Sequence, residues 1–187
     1  DVWMRPARKA DGQAHYEFIL LYTDDVLCVS ENPEQTMRTG VGKCFELKEE
    51  SVGPPETYLG GHLRKVTLEN GAKAWSFSSS QCVQASVENA EDCVSKRDWK
   101  PPAKAETPLT AIHRPELDVS HESNSTDSSY YQSLIGILRW MVELGRVDMC
   151  LEASMMSSHL ALPREGHLQQ LLHVFAHLKK HHNAEMV

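Results

Sequence analysis

The chain has 187 residues, of which 41% are hydrophobic and 24% charged, so it can form a real core, and wholesale disorder is excluded. Nineteen Lys and Arg stand against 26 Asp and Glu, a formal charge of -7 that argues against a small stand-alone nucleic-acid binder. No apolar run approaches the ~18 residues of a membrane span, the opening residues carry no signal-peptide pattern, and the five cysteines include no C-x-x-C pair. Neither a disulfide scaffold nor a cysteine zinc site is expected, and a reducing, intracellular (cytoplasmic) setting fits best.

After a polar, basic opening with an Asp11-Gly12 turn signal, two β-prone runs follow: Phe18-Ile19-Leu20-Leu21-Tyr22 and Val26-Leu27-Cys28-Val29. Only Thr23-Asp24-Asp25 separates them, which predicts a hairpin. Asn32 then reads as a helix cap, with Pro33 in the first position and Gln35 three residues after the cap. Met37, Val41 and Phe45 give a helical stripe, but Gly40 and Gly42 inside it cost roughly 1 kcal/mol each relative to alanine, so a weak helix is expected. Gly53-Pro54-Pro55 breaks the chain.

Residues Thr57 to Val66 and Ala74 to Phe77 predict strands around an Asn70-Gly71 turn. Serines 78 to 80 offer a cap for a helix whose Val83, Val87, Ala90 and Val94 share one face. From Lys100 to Ser129 the composition turns to Pro, Ser, Thr and charge, with Pro101, Pro102, Pro108 and Pro115, which predicts a long linker or a loop wrapped over a surface. Three helical stripes follow: Leu134, Ile135, Leu138, Met141 and Val142; then Met149, Ala153, Met156 and Leu160, ended by Pro163; then Leu168, Leu171, Leu172, Phe175 and Leu178. A β-rich first part and a helical last part make the class α+β.

Tyr22-Thr23-Asp24-Asp25 is the segment richest in chemistry. Two adjacent aspartates at a hairpin tip repel each other, and carboxylate oxygens suit hard divalent cations. Paired metals of this kind stabilise in-line phosphoryl transfer, a site that calls for a third carboxylate from elsewhere. An ordinary acidic β-turn accounts for the same residues, since Asp is common in turns. In the last third, His173, His177 and His181 recur every four residues, so one helix face carries them. That face is either a zinc site, with Glu165 and Glu185 as the nearby acidic candidates, or an exposed face on which His, Lys179 and Lys180 ease the helix dipole.

From Asp1 to Val66 the order of features resembles the reverse transcriptase of copia-type retrotransposons: Tyr22-Thr23-Asp24-Asp25, a weak helix, Phe45-Glu46-Leu47-Lys48, then Tyr58-Leu59-Gly60. Further on, Tyr130-Tyr131-Gln132-Ser133-Leu134-Ile135-Gly136 resembles the family's Y-x-S-L-I-G block, Arg146-Val147-Asp148 its R-P-D, Pro163 and His167 its P-x-x-x-H, and His177-Leu178-Lys179-Lys180 its Y-L-K. The resemblance implies a partial polymerase palm followed by a helical thumb and connection region. It divides the chain into 1–78 (palm), 79–129 (thumb-start helix and linker) and 130–187 (thumb and connection). Asp24 and Asp25 would hold catalytic magnesium, with Tyr22 packed beneath their turn, and Lys48 would protonate the leaving pyrophosphate. As plain helix-end chemistry, Lys48 is a solvated lysine. Tyr58, Leu59 and Gly60 would form the primer-grip strand, where a glycine lets backbone approach nucleic acid; the other reading is a strand with a bulge at Gly60-Gly61.

The implied parent activity is RNA-directed DNA polymerisation, with an RNA/DNA template-primer, deoxynucleoside triphosphates and the rest of the retrotransposon polyprotein as partners. In the family, the third metal carboxylate, the fingers and the nucleotide-selecting palm lie upstream of the hairpin, and a ribonuclease H domain follows the connection. Thr23, where the family has an apolar residue, and Gly145 and Val147 depart from its pattern. The expectation is therefore a fragment, inactive alone. The alternative is a non-catalytic, transposon-derived remnant whose helices between Tyr130 and Lys180 bind a partner.

Overall fold

The computed structural model describes residues 1–95, 105–111 and 113–187. It is a mixed α+β chain that divides into two compact units, Asp1–Leu59 and Gly60–Val187. The prolines at 101 and 102 lie outside the described residues.

The first unit is built on a three-stranded antiparallel meander: β1 (Val2–Arg8), β2 (Ala14–Tyr22) and β3 (Asp25–Val29). The register runs Val2 to Leu20 and Arg8 to Ala14 on one side of β2, then Phe18 to Val29 and Tyr22 to Asp25 on the other. Strand alternation places Met4, Tyr16, Phe18, Leu20, Leu27 and Val29 on the same face as Tyr22 and Asp25. The opposite face carries Arg5 and Glu17, which form a polar network with the chain after β3. Arg5 Nε donates to Glu17 at 2.7 Å, the Ser30 hydroxyl donates to Glu17 at 2.6 Å, and Arg5 reaches Thr36 Oγ1 at 3.3 Å. The Ser30 hydroxyl, and behind it Arg5, hold the Glu17 carboxyl below its usual range.

Asn32 caps the helix as expected, its side chain accepting from the Gln35 N–H at 3.4 Å. Helix α1 (Pro33–Gln35) keeps α pitch for only these three residues, then widens to a π turn over Thr36–Gly40 and tightens to a 3-10 turn over Val41–Lys43. The glycines at 40 and 42 sit where the pitch changes, which is how the expected weakness appears. A two-residue strand, β4 (Thr57–Tyr58), closes this unit.

In the second unit, β5 (Gly61–Thr67) pairs antiparallel with β6 (Lys73–Ser78) around Gly71 at φ 81, and β7 (Glu185–Met186) joins β6. Four α-helices follow among the described residues: α2 (Ser80–Ser95), α3 (Ser125–Glu143), α4 (Cys150–Ser157) and α5 (Glu165–Lys180). Their apolar faces are those read from periodicity. Val83, Val87, Ala90 and Val94 on α2 meet Leu134, Ile135, Leu138 and Met141 on α3, Met149, Ala153 and Met156 at α4, and Leu168, Leu171, Leu172, Phe175 and Leu178 on α5. Periodicity missed Tyr131, which is fully buried and donates its hydroxyl to the Met156 carbonyl at 2.7 Å. Burial pushes that phenol's pKa well up, so it stays a neutral donor. The proline-bearing segment before α3 is the wrapped loop among the two expected forms: its described stretches 105–111 and 113–120 lie along α5.

Candidate functional site

Because Tyr22 pairs with Asp25, the hairpin turn has just two residues, Thr23 and Asp24. A two-residue turn matches strand twist when its first residue has positive φ, a position glycine normally fills. Here it is Thr23, at φ 52. A β-branched residue in the left-handed region is a true outlier costing on the order of 1–3 kcal/mol, and such strain concentrates at functional sites. Both carboxylates are exposed: Asp24 sits in the turn itself, and Asp25 opens β3 on the face it shares with Tyr22. Tyr22 is 52% exposed, not packed beneath the turn.

Tyr58 is drawn to the same chemistry. Burial raises the pKa of its hydroxyl, and the negative charge of Asp25 raises it further, so two separately predicted residues are electrostatically coupled. The next two residues are a turn, not the strand expected from the sequence. Leu59 at φ 54 and Gly60 at φ 83 are both left-handed, the pairing that a type I′ turn requires. Thr23 and Leu59 are the non-glycine residues with positive φ among the described residues, and one falls in each predicted motif. A β-carbon on Gly60 would meet nothing within van der Waals reach, so Gly60 is needed for its angle. Gly61 is different: a β-carbon there would lie inside the Phe77 ring, so this glycine serves packing within the sheet.

Lys48 stands exposed on the loop after the 3-10 turn, and its carbonyl accepts from the Ser51 N–H and hydroxyl. Asp24, Asp25, Lys48 and Tyr58 therefore all belong to the first unit. The carboxylate pair has the right donor chemistry for a hard cation, yet no group of three or more His, Cys, Asp or Glu among the described residues is arranged to hold a metal ion. Two carboxylates alone are fewer than the oxygen ligands a hard divalent cation takes.

The other motifs have structural work. Arg146 is 1% exposed and forks onto Asp148, with Nε to Oδ1 at 2.9 Å and Nη2 to Oδ2 at 2.8 Å. The Arg146 N–H also caps α3 by donating to the Met141 carbonyl, so the R-x-D block locks the α3–α4 corner. His167 accepts from the Arg164 N–H at 3.1 Å and meets the Pro115 carbonyl at 3.0 Å. The histidine stripe of α5 is used in the same way: His173 meets the Thr107 carbonyl at 3.0 Å and His177 the Ala105 carbonyl at 3.2 Å, while the His181 ring lies tilted beside His177 with centres 4.4 Å apart. These imidazoles grip backbone. Sequence periodicity placed them on one face, but the carbonyls they hold lie 66 and 72 residues away.

No helix among the described residues is long and apolar enough to cross a membrane. No protein-family model matches the chain, and no curated protein or solved structure matches it.

Proposed function

We propose that this chain is part of a copia-type retrotransposon reverse transcriptase, carrying the later palm, the primer grip and a helical thumb and connection region. The observation that carries the reading is the acidic hairpin: two exposed adjacent aspartates at a two-residue turn, held in a strained conformation by Thr23. The effect of the Asp25 charge on the Tyr58 hydroxyl supports it, because a carboxylate and a grip residue expected from separate motifs then act on one another within the first unit.

The parent reaction is RNA-directed DNA polymerisation, in which the primer 3′-hydroxyl attacks the α-phosphate of a deoxynucleoside triphosphate and pyrophosphate leaves. Asp25 presents its oxygens from the end of the strand ladder and Asp24 from the two-residue turn beside it. Magnesium bound there would supply stabilisation of charge developing on the phosphate oxygens. Lys48 holds the proton destined for pyrophosphate, and the turn at Leu59-Gly60 brings backbone, without bulk at Gly60, to the primer. With two carboxylates of three, this chain alone gives no primer extension above a catalyst-free control.

Sequencing the transcript on both sides of the segment tests the reading. An open frame carrying another aspartate-bearing strand upstream and a ribonuclease H domain downstream is the expected result. In that longer protein, primer extension should depend on magnesium and vanish with Asp24→Asn. Stops or frameshifts closing the frame would leave the polymerase reading as ancestry only. One observation favours a second reading, a helical interaction module: the described helices of the second unit share one continuous apolar core. It predicts a partner that binds residues 130–180 and is indifferent to Asp24→Asn.

A further inference from the structure

At the last turn of α5, His177 and the helix-ending His181 stand four residues apart, with ring centres separated by 4.4 Å and planes inclined by 32°. Residues at this spacing share a helix face, so two imidazoles can reach one point between them. The same spacing joins His173 to His177, and the hydrogen bonds decide which nitrogens are still open.

A backbone carbonyl only accepts, so the ring nitrogen that meets one must carry a proton. In His177 that nitrogen is Nδ1, which meets the Ala105 carbonyl at 3.2 Å. The neutral ring then keeps its lone pair on Nε2, the outer nitrogen. A carbonyl on the inner nitrogen is how metal-ligating histidines are fixed in the tautomer that leaves the outer one free. His181 supplies the partner. Its Nε2 is buried and has no hydrogen-bond partner among the described residues, an uncompensated polar atom beside an imidazole with a free lone pair. His173 does not join the pair, because its Nε2 is already spent on the Thr107 carbonyl at 3.0 Å. The neighbouring carboxylates are also engaged: Arg146 occupies both oxygens of Asp148, and Lys180 holds Glu106. The side chains here therefore offer two nitrogens and no third donor, in keeping with the lack of a three-residue metal group among the described residues. Burial favours the neutral, ligating form of His177, although the Ala105 carbonyl pulls the other way.

We propose that His177 and His181 form a two-point chelate for an imidazole-seeking transition-metal dication such as zinc, held through Nε2 of each ring with water in the remaining positions. Imidazole nitrogen suits zinc, copper and nickel, whereas magnesium and calcium prefer oxygen. The site is thus chemically distinct from the acidic hairpin and does not rest on the polymerase reading. A cation at Nε2 draws charge from the His177 ring and makes its Nδ1–H a stronger donor to Ala105. Loading the chelate therefore fastens Ala105 to the end of α5.

Calorimetric titration of the full chain with zinc alone, at about pH 7.5 where histidine is neutral, tests the chelate. Losing a ligand costs at least what losing its outer partner does, so His181→Ala should weaken the tightest zinc site by about tenfold or more. His181 Nε2 makes no hydrogen bond, so the substitution leaves the fold's bonding intact there. His173→Ala should leave the affinity unchanged. The proposal is overturned if zinc does not bind, if His181→Ala binds it as the native chain does, or if His173→Ala loses as much as His181→Ala. Nitrogen NMR shifts of the imidazoles in the native chain give a second reading that needs no variant. Zinc should move Nε2 of His177 and of His181 first and leave Nδ1 of His177 protonated. Earlier movement of other rings, coordination at Nδ1 of His177, or an equal response to magnesium refutes the chelate.

Discussion

The helical unit and the acidic-hairpin unit hold their shapes by different means. Between Gly60 and Val187 four helices close on one another and bury Leu138, Met141, Leu171 and Leu178 completely. Between Asp1 and Leu59 the buried residue among those described is Thr36, a polar one, and shape comes from the strand ladder and the Arg5–Glu17–Ser30–Thr36 network. Val2, Met4, Tyr16, Tyr22 and Val29 stay more than half exposed on a single sheet face. Burying an aliphatic or aromatic side chain contributes roughly 1.5–3 kcal/mol, and the second unit collects that contribution many times over while the first collects little. The unit that carries the acidic hairpin is thus the one with the less apolar interior among the described residues.

Core truncation should separate the units most strongly. Leu171→Ala is expected to destabilise the helical unit by about 3–4 kcal/mol, whereas Phe18→Ala should cost the hairpin unit under about 1 kcal/mol. Denaturant unfolding followed by helical circular dichroism and by hydrogen exchange in β2 reads the two separately. Equal losses would erase the contrast. Arg146→Ala should cost roughly 2–3 kcal/mol by removing the fork and opening a void, and Arg146→Lys should restore little, because an ammonium cannot make both bonds. Near-complete rescue by lysine would mean that charge alone matters at that corner.

Gly61→Ala should destabilise the β5–β6 hairpin by about 1–3 kcal/mol, since Phe77 must leave its place. The double variant with Phe77→Ala should recover part of the loss. In the first unit the dependence is on acid. Glu17 sits below its usual 4.5, so its contribution is complete above that value and is lost as pH falls through the lowered one. Exchange in β1 should rise in that window, and Glu17→Gln should remove the change. The smallest effect is a gain: Thr23→Gly relieves the left-handed strain and should stabilise the hairpin by about 1 kcal/mol. A loss on that substitution would show that the threonine side chain, not its angle, is what the turn uses.

How far the sequence could be read follows from how local each signal is. The faces of α2 and α5 were legible because a 3.6-residue period needs no knowledge of the partner. The α+β class and the hairpin at Thr23-Asp24 were legible for similar reasons. Strand β1 was not, since Arg5, Arg8 and Lys9 read as a polar, basic opening and only the pairing with β2 makes Val2–Arg8 a strand. Leucine is an unusual residue for a left-handed turn, so Leu59-Gly60 read as strand continuation. The histidines of α5 were placed correctly on one face, but a distant backbone partner leaves no spacing signature. The coupling of Asp25 to Tyr58 likewise arises only when the first unit folds around both.

The central claim is that Asp24 and Asp25 are a cation-binding pair and not an incidental acidic turn. Manganese titration of the isotopically labelled chain, read by paramagnetic broadening of amide signals, tests it most directly. The account predicts that Thr23, Asp24 and Asp25 broaden first, at concentrations that leave the acidic positions of α2 unaffected, and that Asp24→Asn abolishes the effect. Broadening spread evenly over the acidic surface, or unchanged in Asp24→Asn, would contradict it.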